Sequence, residues 1–141
     1  MDVMTAEFTP LDELQCLRLL SGTAVGRLVY TVGALPAVMP VRYRIAADGS
    51  VLLHAHTDSE ITRAVADAIV AFEASELDEA DGSGWSVTVL GRADVTSDIE
   101  EGRTIPAVVP APARTAGSVT IRIRPELVTG RSLPGSPVYE A

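Results

Sequence analysis

Residues 35–46, LPAVMPVRYRIA, decide the fold. Every odd position from Leu35 to Ile45 (Leu35, Ala37, Met39, Val41, Tyr43, Ile45) is apolar, while Arg42 and Arg44 fall on the even side. A period of two is what a strand presents and a helix cannot. The stretch therefore predicts one strand with a core face and a polar face. Asp48-Gly49 follows it as a hairpin signal, and residues 50–56 read as the return strand.

Working outward, residues 23–30 alternate in the same way and predict a strand that turns at Gly33. Upstream, Leu11, Leu14, Leu17 and Leu20 recur at helical spacing, so a helix is expected over residues 10–20, capped by Thr9, opened by Pro10 and ended by Ser21 and Gly22. Downstream, Asp58 or Ser59 caps a short helix reaching about Ala66, residues 68–74 form a strand, and the acidic run from Glu76 to Gly84 forms a loop. In the next strand Trp85, Val87, Val89, Gly91, Ala93 and Val95 share a face, with Gly91 marking a bulge or close approach. Residues 98–109 begin with helical character limited by Pro106 and Pro110, and the segment up to Gly117 reads as a crossover. Val119, Ile121 and Ile123 alternate with Thr120, Arg122 and Arg124 in a last strand that Pro125 is expected to stop, leaving residues 129–141 as a tail. Short connections between many strands imply an antiparallel barrel with outer helices, in the mainly β (α+β) class.

The chain has 141 residues, which suits a single domain. With 47% hydrophobic residues but only 4% aromatic, its core must be built from aliphatic side chains. The net charge of −8 and the absence of lysine argue against a nucleic-acid partner, which requires a face of phosphate-neutralising cations. Cys16 is the only cysteine, so no internal disulfide and no multi-thiolate zinc site exist, and a reducing cytoplasm is the simplest compartment. No signal-peptide pattern and no apolar run of about 20 residues is present, so no membrane association is expected.

Several residues carry potential chemistry, each beside a plainer role. Arg42 and Arg44 either clamp an anion or lie at a solvated or dimer surface. His54 and His56, two apart on one strand, face one side; they serve as ligand contacts or as ordinary surface histidines, and no third metal ligand accompanies them. Trp85 either stacks on a ligand or anchors its loop to the core. Cys16 reads as a packing residue, the acidic run of Glu73, Glu76, Asp78, Glu79 and Asp81 as a solvated loop, and Arg131 as a surface residue or an anion contact across a dimer. No P-loop, G-x-G-x-x-G, H-E-x-x-H or G-x-S-x-G motif occurs.

The order of local signatures resembles the pyridoxamine 5′-phosphate oxidase-like, FMN-binding split-barrel family over roughly residues 11–133. The pieces are "LL" before "GRLVY", then "LPAVMPVRY", "DGSVLLHAHT", "VAFEASELDEADGSGWSVTVLGRADV" and "VTIRIRPELVTGRSL". The resemblance implies a split β-barrel of about six antiparallel strands with two or three short flanking helices. It also implies a homodimer with the ligand groove at the interface, and a flavin (FMN)-dependent oxidoreductase acting on a small-molecule substrate. By position, Pro40, Val41, Arg42 and Tyr43 would line the flavin ring, His56, Thr57 and Ser59 would hold the phosphate, and Trp85 and Ser86 would flank the groove. Two pieces depart from the family pattern: Val41-Arg42-Tyr43 stands where "VNY" is usual, and the short His56-Thr57-Asp58-Ser59-Glu60-Ile61 replaces an Arg-Thr loop ending in Gly-Ser-Lys-Leu. Two alternatives therefore stand beside FMN: the deazaflavin cofactor F420, or a cofactor-free barrel that binds another small ligand.

Overall fold

The computed structural model describes residues 8–97 and 117–135, so the expected helical start at 98–109 and the crossover after it lie outside the described residues. The elements in chain order are β1 (Thr9–Leu11), α1 (Glu13–Ser21), β2 (Val25–Val32), β3 (Leu35–Arg42), β4 (Arg44–Ile45), β5 (Val51–His56), α2 (Glu60–Val65), β6 (Ile69–Leu77), β7 (Gly84–Ser97) and β8 (Ser118–Leu133). Among the described residues eight strands, where about six were expected, form one antiparallel sheet in the order β3-β2-β6-β7-β8-β5-β4, with β1 added along the C-terminal half of β8.

The stretch 35–46 is not one strand. Up to Arg42 it pairs with β2, and the Tyr43 amide donates to Ala24 O at 3.1 Å; from Arg44 it pairs with β5 instead, Arg44 opposite Leu52. The two ends of the sheet are therefore consecutive in sequence, joined by a corner at Tyr43, and this corner curls the sheet into a half-barrel. The expected core face holds at Tyr43, which is buried, but Leu35 and Met39 are 70% and 40% exposed. As an edge strand, β3 has neighbours on one side only, which leaves Leu35 and Met39 uncovered.

The interior is packed by Leu28, Tyr30, Val51, Leu53, Val70, Phe72, Val87, Val89, Ala93, Ile121 and Ile123. The opposite face carries an apolar row that register alone defines: Val38, Val29, Ala71, Leu90 and Leu127 face one another across β3, β2, β6, β7 and β8. Val38, Leu90 and Leu127 in that row are exposed.

Three boundary expectations are corrected. Thr9 and Pro10 do not open the helix but lie in β1, where Pro10 opposes Arg131 on an edge that needs no proline N–H. Asp12 is the N-cap, accepting from the Gln15 amide at 2.8 Å while Gln15 Oε1 accepts from the Asp12 amide at 2.9 Å. Pro125 does not stop the last strand, which continues through residues 129–133 assigned to the tail. Opposite it the register shifts between Leu90 and Gly91, and this bulge absorbs the missing donor. Gly91 is required there, because a Cβ at that position would collide with the Arg124 carbonyl.

Candidate functional site

A groove of about 430 Å³ opens where the edges of the half-barrel approach each other, lined by Met39, Pro40, Val41 and Arg42 of β3, Leu53 to His56 of β5, Ser59 just before α2, and Ile61 of α2. Both walls are strand edges. Among the described residues β3 pairs only with β2, and on the side away from β8 the pairing of β5 ends at Leu52. Backbone N–H and C=O groups thus border a cleft whose side-chain lining is mainly aliphatic. Such an arrangement suits a flat ring system with polar atoms along its edge.

The turn from His56 into α2 forms the polar end. Ser59 caps α2, its Oγ accepting from the Thr62 amide at 3.2 Å. The Ser59 hydroxyl and amide both donate to His56 O, at 2.9 and 3.1 Å, and Thr62 Oγ1 donates to the same carbonyl at 2.7 Å. The Thr57 amide and hydroxyl both donate to Gly117 O. The Asp58 amide donates to His56 Nδ1 at 3.2 Å. The Arg63 guanidinium reaches back to Asp58 O at 2.5 Å.

Of the residues expected at the site, Pro40, Val41, Arg42, His56 and Ser59 are brought together at this groove. Thr57 is in the adjoining turn. The Tyr43 side chain is not at the groove: its ring meets Phe72 edge-on with centroids 4.6 Å apart, and its hydroxyl donates to Leu20 O. Arg42 and Arg44 do not act together, because the corner leaves Arg44 in a separate recess with Leu20 and Thr23. Trp85 is partly buried against the core, and Ser86 donates to Glu73 Oε2 at 3.4 Å on the face bearing the apolar row; neither lines the groove of its own chain. Met39, Leu53, Ala55 and Ile61 were not singled out from sequence. That they share a groove depends on the meeting of two distant edges and the start of α2. His54 and His56 both line it, and no cluster of three metal-ligating side chains occurs among the described residues.

A family profile described as pyridoxamine 5′-phosphate oxidase matches residues 12–132. The uncharacterized protein Rv0080 of Mycobacterium tuberculosis is 36% identical over 129 residues, covering 88% of this chain and 84% of that protein. Among solved structures, a FAD binding protein from Mycobacterium smegmatis superposes with a TM-score of 0.69 at 26% identity, covering 91% of this chain and all of the other. A conserved protein of unknown function from Corynebacterium diphtheriae superposes with a TM-score of 0.73 at 29% identity, covering 90% of this chain and 98% of that one.

Proposed function

We propose that this chain, which belongs to the pyridoxamine 5′-phosphate oxidase family, binds the ring of a flavin in the seam groove and serves electron or hydride transfer to a small-molecule substrate. The observation that carries this reading is the groove itself, aliphatic on its walls and bordered by two unpaired strand edges. A flavin-binding relative of the same fold supports it. When bound, the flavin supplies the redox chemistry, so no acid or base in the chain is required for the electron transfer. The chain's own part is to bind and orient. Met39, Val41, Leu53 and Ile61 offer apolar surface, the free edges offer hydrogen bonds to the ring's polar rim, and among the described residues Arg42 is the arginine that lines the groove.

The aliphatic walls and free edges suit the ring; at the turn expected to hold the terminal phosphate of FMN, the hydroxyls of Thr57 and Ser59 already donate to carbonyls. The flavin class is accordingly the claim, and FMN is one member of it.

The working unit in this reading is a cytoplasmic homodimer. The exposed row Val38, Leu90 and Leu127 is apolar surface a second copy would cover, and Ser86 lies on that same face. The lone, buried Cys16 accords with a reducing compartment, and no helix among the described residues is long and apolar enough to cross a membrane.

The test is titration of riboflavin, FMN, FAD and F420 with the purified full chain, following cofactor fluorescence. Saturable change with a flavin supports the proposal. F420 alone binding moves the assignment to the deazaflavin, and no binding by any of the four leaves a barrel for some other small ligand.

A further inference from the structure

The seam groove has two sides that strand register tells apart. On β3, Met39 and Val41 lie opposite Leu28 and Gly26 and turn toward the interior, while Pro40 and Arg42 lie opposite Arg27 and Val25 on the outward face. On β5, Leu53 and Ala55 turn inward, and His54 and His56 outward. A ligand between the edges therefore meets aliphatic side chains on its inner side and nitrogen-bearing ones on its outer side. Among the described residues no carboxylate lines the groove, in a chain of net charge −8. Asp58 and Glu60, which follow the β5 wall in sequence, are outside its lining, and Glu60 shares a separate recess with Arg63.

Arg42 is the cation of that outer side, and the fold leaves it without an anion. Arg27, Arg92, Arg122 and Arg124 each pair with a carboxylate, Arg63 reaches Asp58 O, and Arg131 lies over the Phe8 ring. Among the described residues Arg42 joins none of these pairs and makes no hydrogen bond through its guanidinium. Register explains why. Its cross-strand neighbour is Val25, and Glu73, the carboxylate in line with Arg27 and Pro40, is held by Arg27 at 3.0 Å. Across the groove His56 Nδ1 is taken by the Asp58 amide, and its Nε2 lies beside Gly117. An unpaired guanidinium at a mainly aliphatic cleft is the kind of polar group that orients a ligand, and its planar fork matches two oxygens of a carboxylate or phosphate.

We infer that Arg42 is the anion-binding residue of the groove, so that the molecule held there carries a phosphate or carboxylate at its outward end. The inference rests on the flavin reading above for what fills the aliphatic side. The anion belongs either to the tail of the flavin or to the substrate that meets it, and both present the same oxygens to the guanidinium.

Riboflavin and FMN differ only in a phosphate, so the ratio of their dissociation constants is measured at low salt on the full chain and on Arg42→Gln. Arg18→Gln, at an exposed position of α1 outside the groove, controls for net charge. If the anion is the flavin's own, FMN is preferred by about tenfold or more, and Arg42→Gln loses most of that preference while Arg18→Gln keeps it. If it is the substrate's, the ratio is the same in all three. Inorganic phosphate or benzoate added to the riboflavin-loaded chain then changes flavin fluorescence saturably, and Arg42→Gln abolishes the response. A ratio unmoved by Arg42→Gln, with no Arg42-dependent response to either small anion, overturns the inference and leaves the flavin reading standing. Loss of riboflavin affinity in Arg42→Gln also overturns it, since Arg42 would then support the groove rather than meet an anion. Failure of every flavin overturns the flavin reading alone; the anion site is then read from the rise in melting temperature that inorganic phosphate gives the cofactor-free chain. That rise is expected to vanish in Arg42→Gln, and no rise, or an equal one in both, overturns the inference as well.

Discussion

The Tyr43 hydroxyl donates to the Leu20 carbonyl at 2.6 Å, and through that bond the corner between β3 and β4 is fastened to the last turn of α1. Leu20 O is a helix-end carbonyl that also accepts from the Thr23 amide at 3.3 Å, so the phenol bond ties an already capped helix end to the place where the sheet folds over. Tyr43→Phe keeps the ring against Phe72 and removes only the bond. It is expected to lower stability by about 1 kcal/mol, read as a lower denaturant midpoint at unchanged slope.

The same residue predicts a pH dependence. Burial, the largest cause, pushes the Tyr43 phenol up to about 12. The unfolded phenol titrates near 10, so between these values the folded state holds a proton that the unfolded state has released. The stabilisation is fully present below about pH 10 and is lost as pH rises through about 12. Denaturation midpoints measured from pH 8 upward should fall more steeply in the wild type than in Tyr43→Phe; parallel curves would contradict this.

At Gly130 a Cβ would stand 2.5 Å from Cys16 Sγ and 3.2 Å from Val87 Cγ2. This close approach is what seats α1 on β8. Gly130→Ala is expected to cost about 1–3 kcal/mol by overpacking. Combined with Cys16→Ala, which removes the sulfur it strikes, the loss should be smaller than the sum of the two single losses; strict additivity in a double-mutant cycle would show that the contact is not the cause.

The β2–β3 hairpin turns through Gly33 at φ +56° and Ala34 at φ +69°, with Val32 and Leu35 paired across it. Two consecutive positive φ angles define the turn that suits the sheet's twist, and alanine pays a steric penalty there. Ala34→Gly is expected to stabilise the protein by about 0.5–1 kcal/mol, since relief of the strain exceeds the added freedom of the unfolded chain. A lower midpoint would count against the turn assignment.

Leu90 sits in the middle of the outward row, between Ala71 and Leu127. If a second copy covers that face, Leu90→Arg buries an unpaired charge in the dimer but is harmless to an isolated chain, where Leu90 is 38% exposed. Sedimentation should show a dimer for the wild type and a monomer of near-normal thermal stability for the variant. A wild type that sediments as a monomer at micromolar concentration would remove the dimer.

Much of the fold was legible because alternation is local. The period of two in residues 35–46 and 85–95, the hairpin at Asp48-Gly49, the Ser59 cap and the irregularity at Gly91 all follow from what a side chain or a backbone angle demands of its immediate neighbours. Family membership was legible from the order of those pieces. The misplacements were equally physical: Thr9-Pro10 carries a helix-start signature, but pairing of β1 with β8 outweighed it, and Pro125 is a strand breaker only where the register has no bulge to receive it.

The sequence by itself determined most of the strands, the alternation of apolar and polar positions within them, and that the chain is acidic. Only the tertiary structure decided that one apparent strand breaks at Tyr43 to form both edges of the sheet, so that Met39–Arg42 face Leu53–His56 across a groove. It also decided that the donors of Thr57 and Ser59 are turned inward. The physical reason is common to both: periodicity reports how a residue relates to positions a few places away, whereas closure of a sheet and the choice of partner for a hydroxyl depend on groups that folding brings from far along the chain, such as Gly117 sixty residues beyond Thr57.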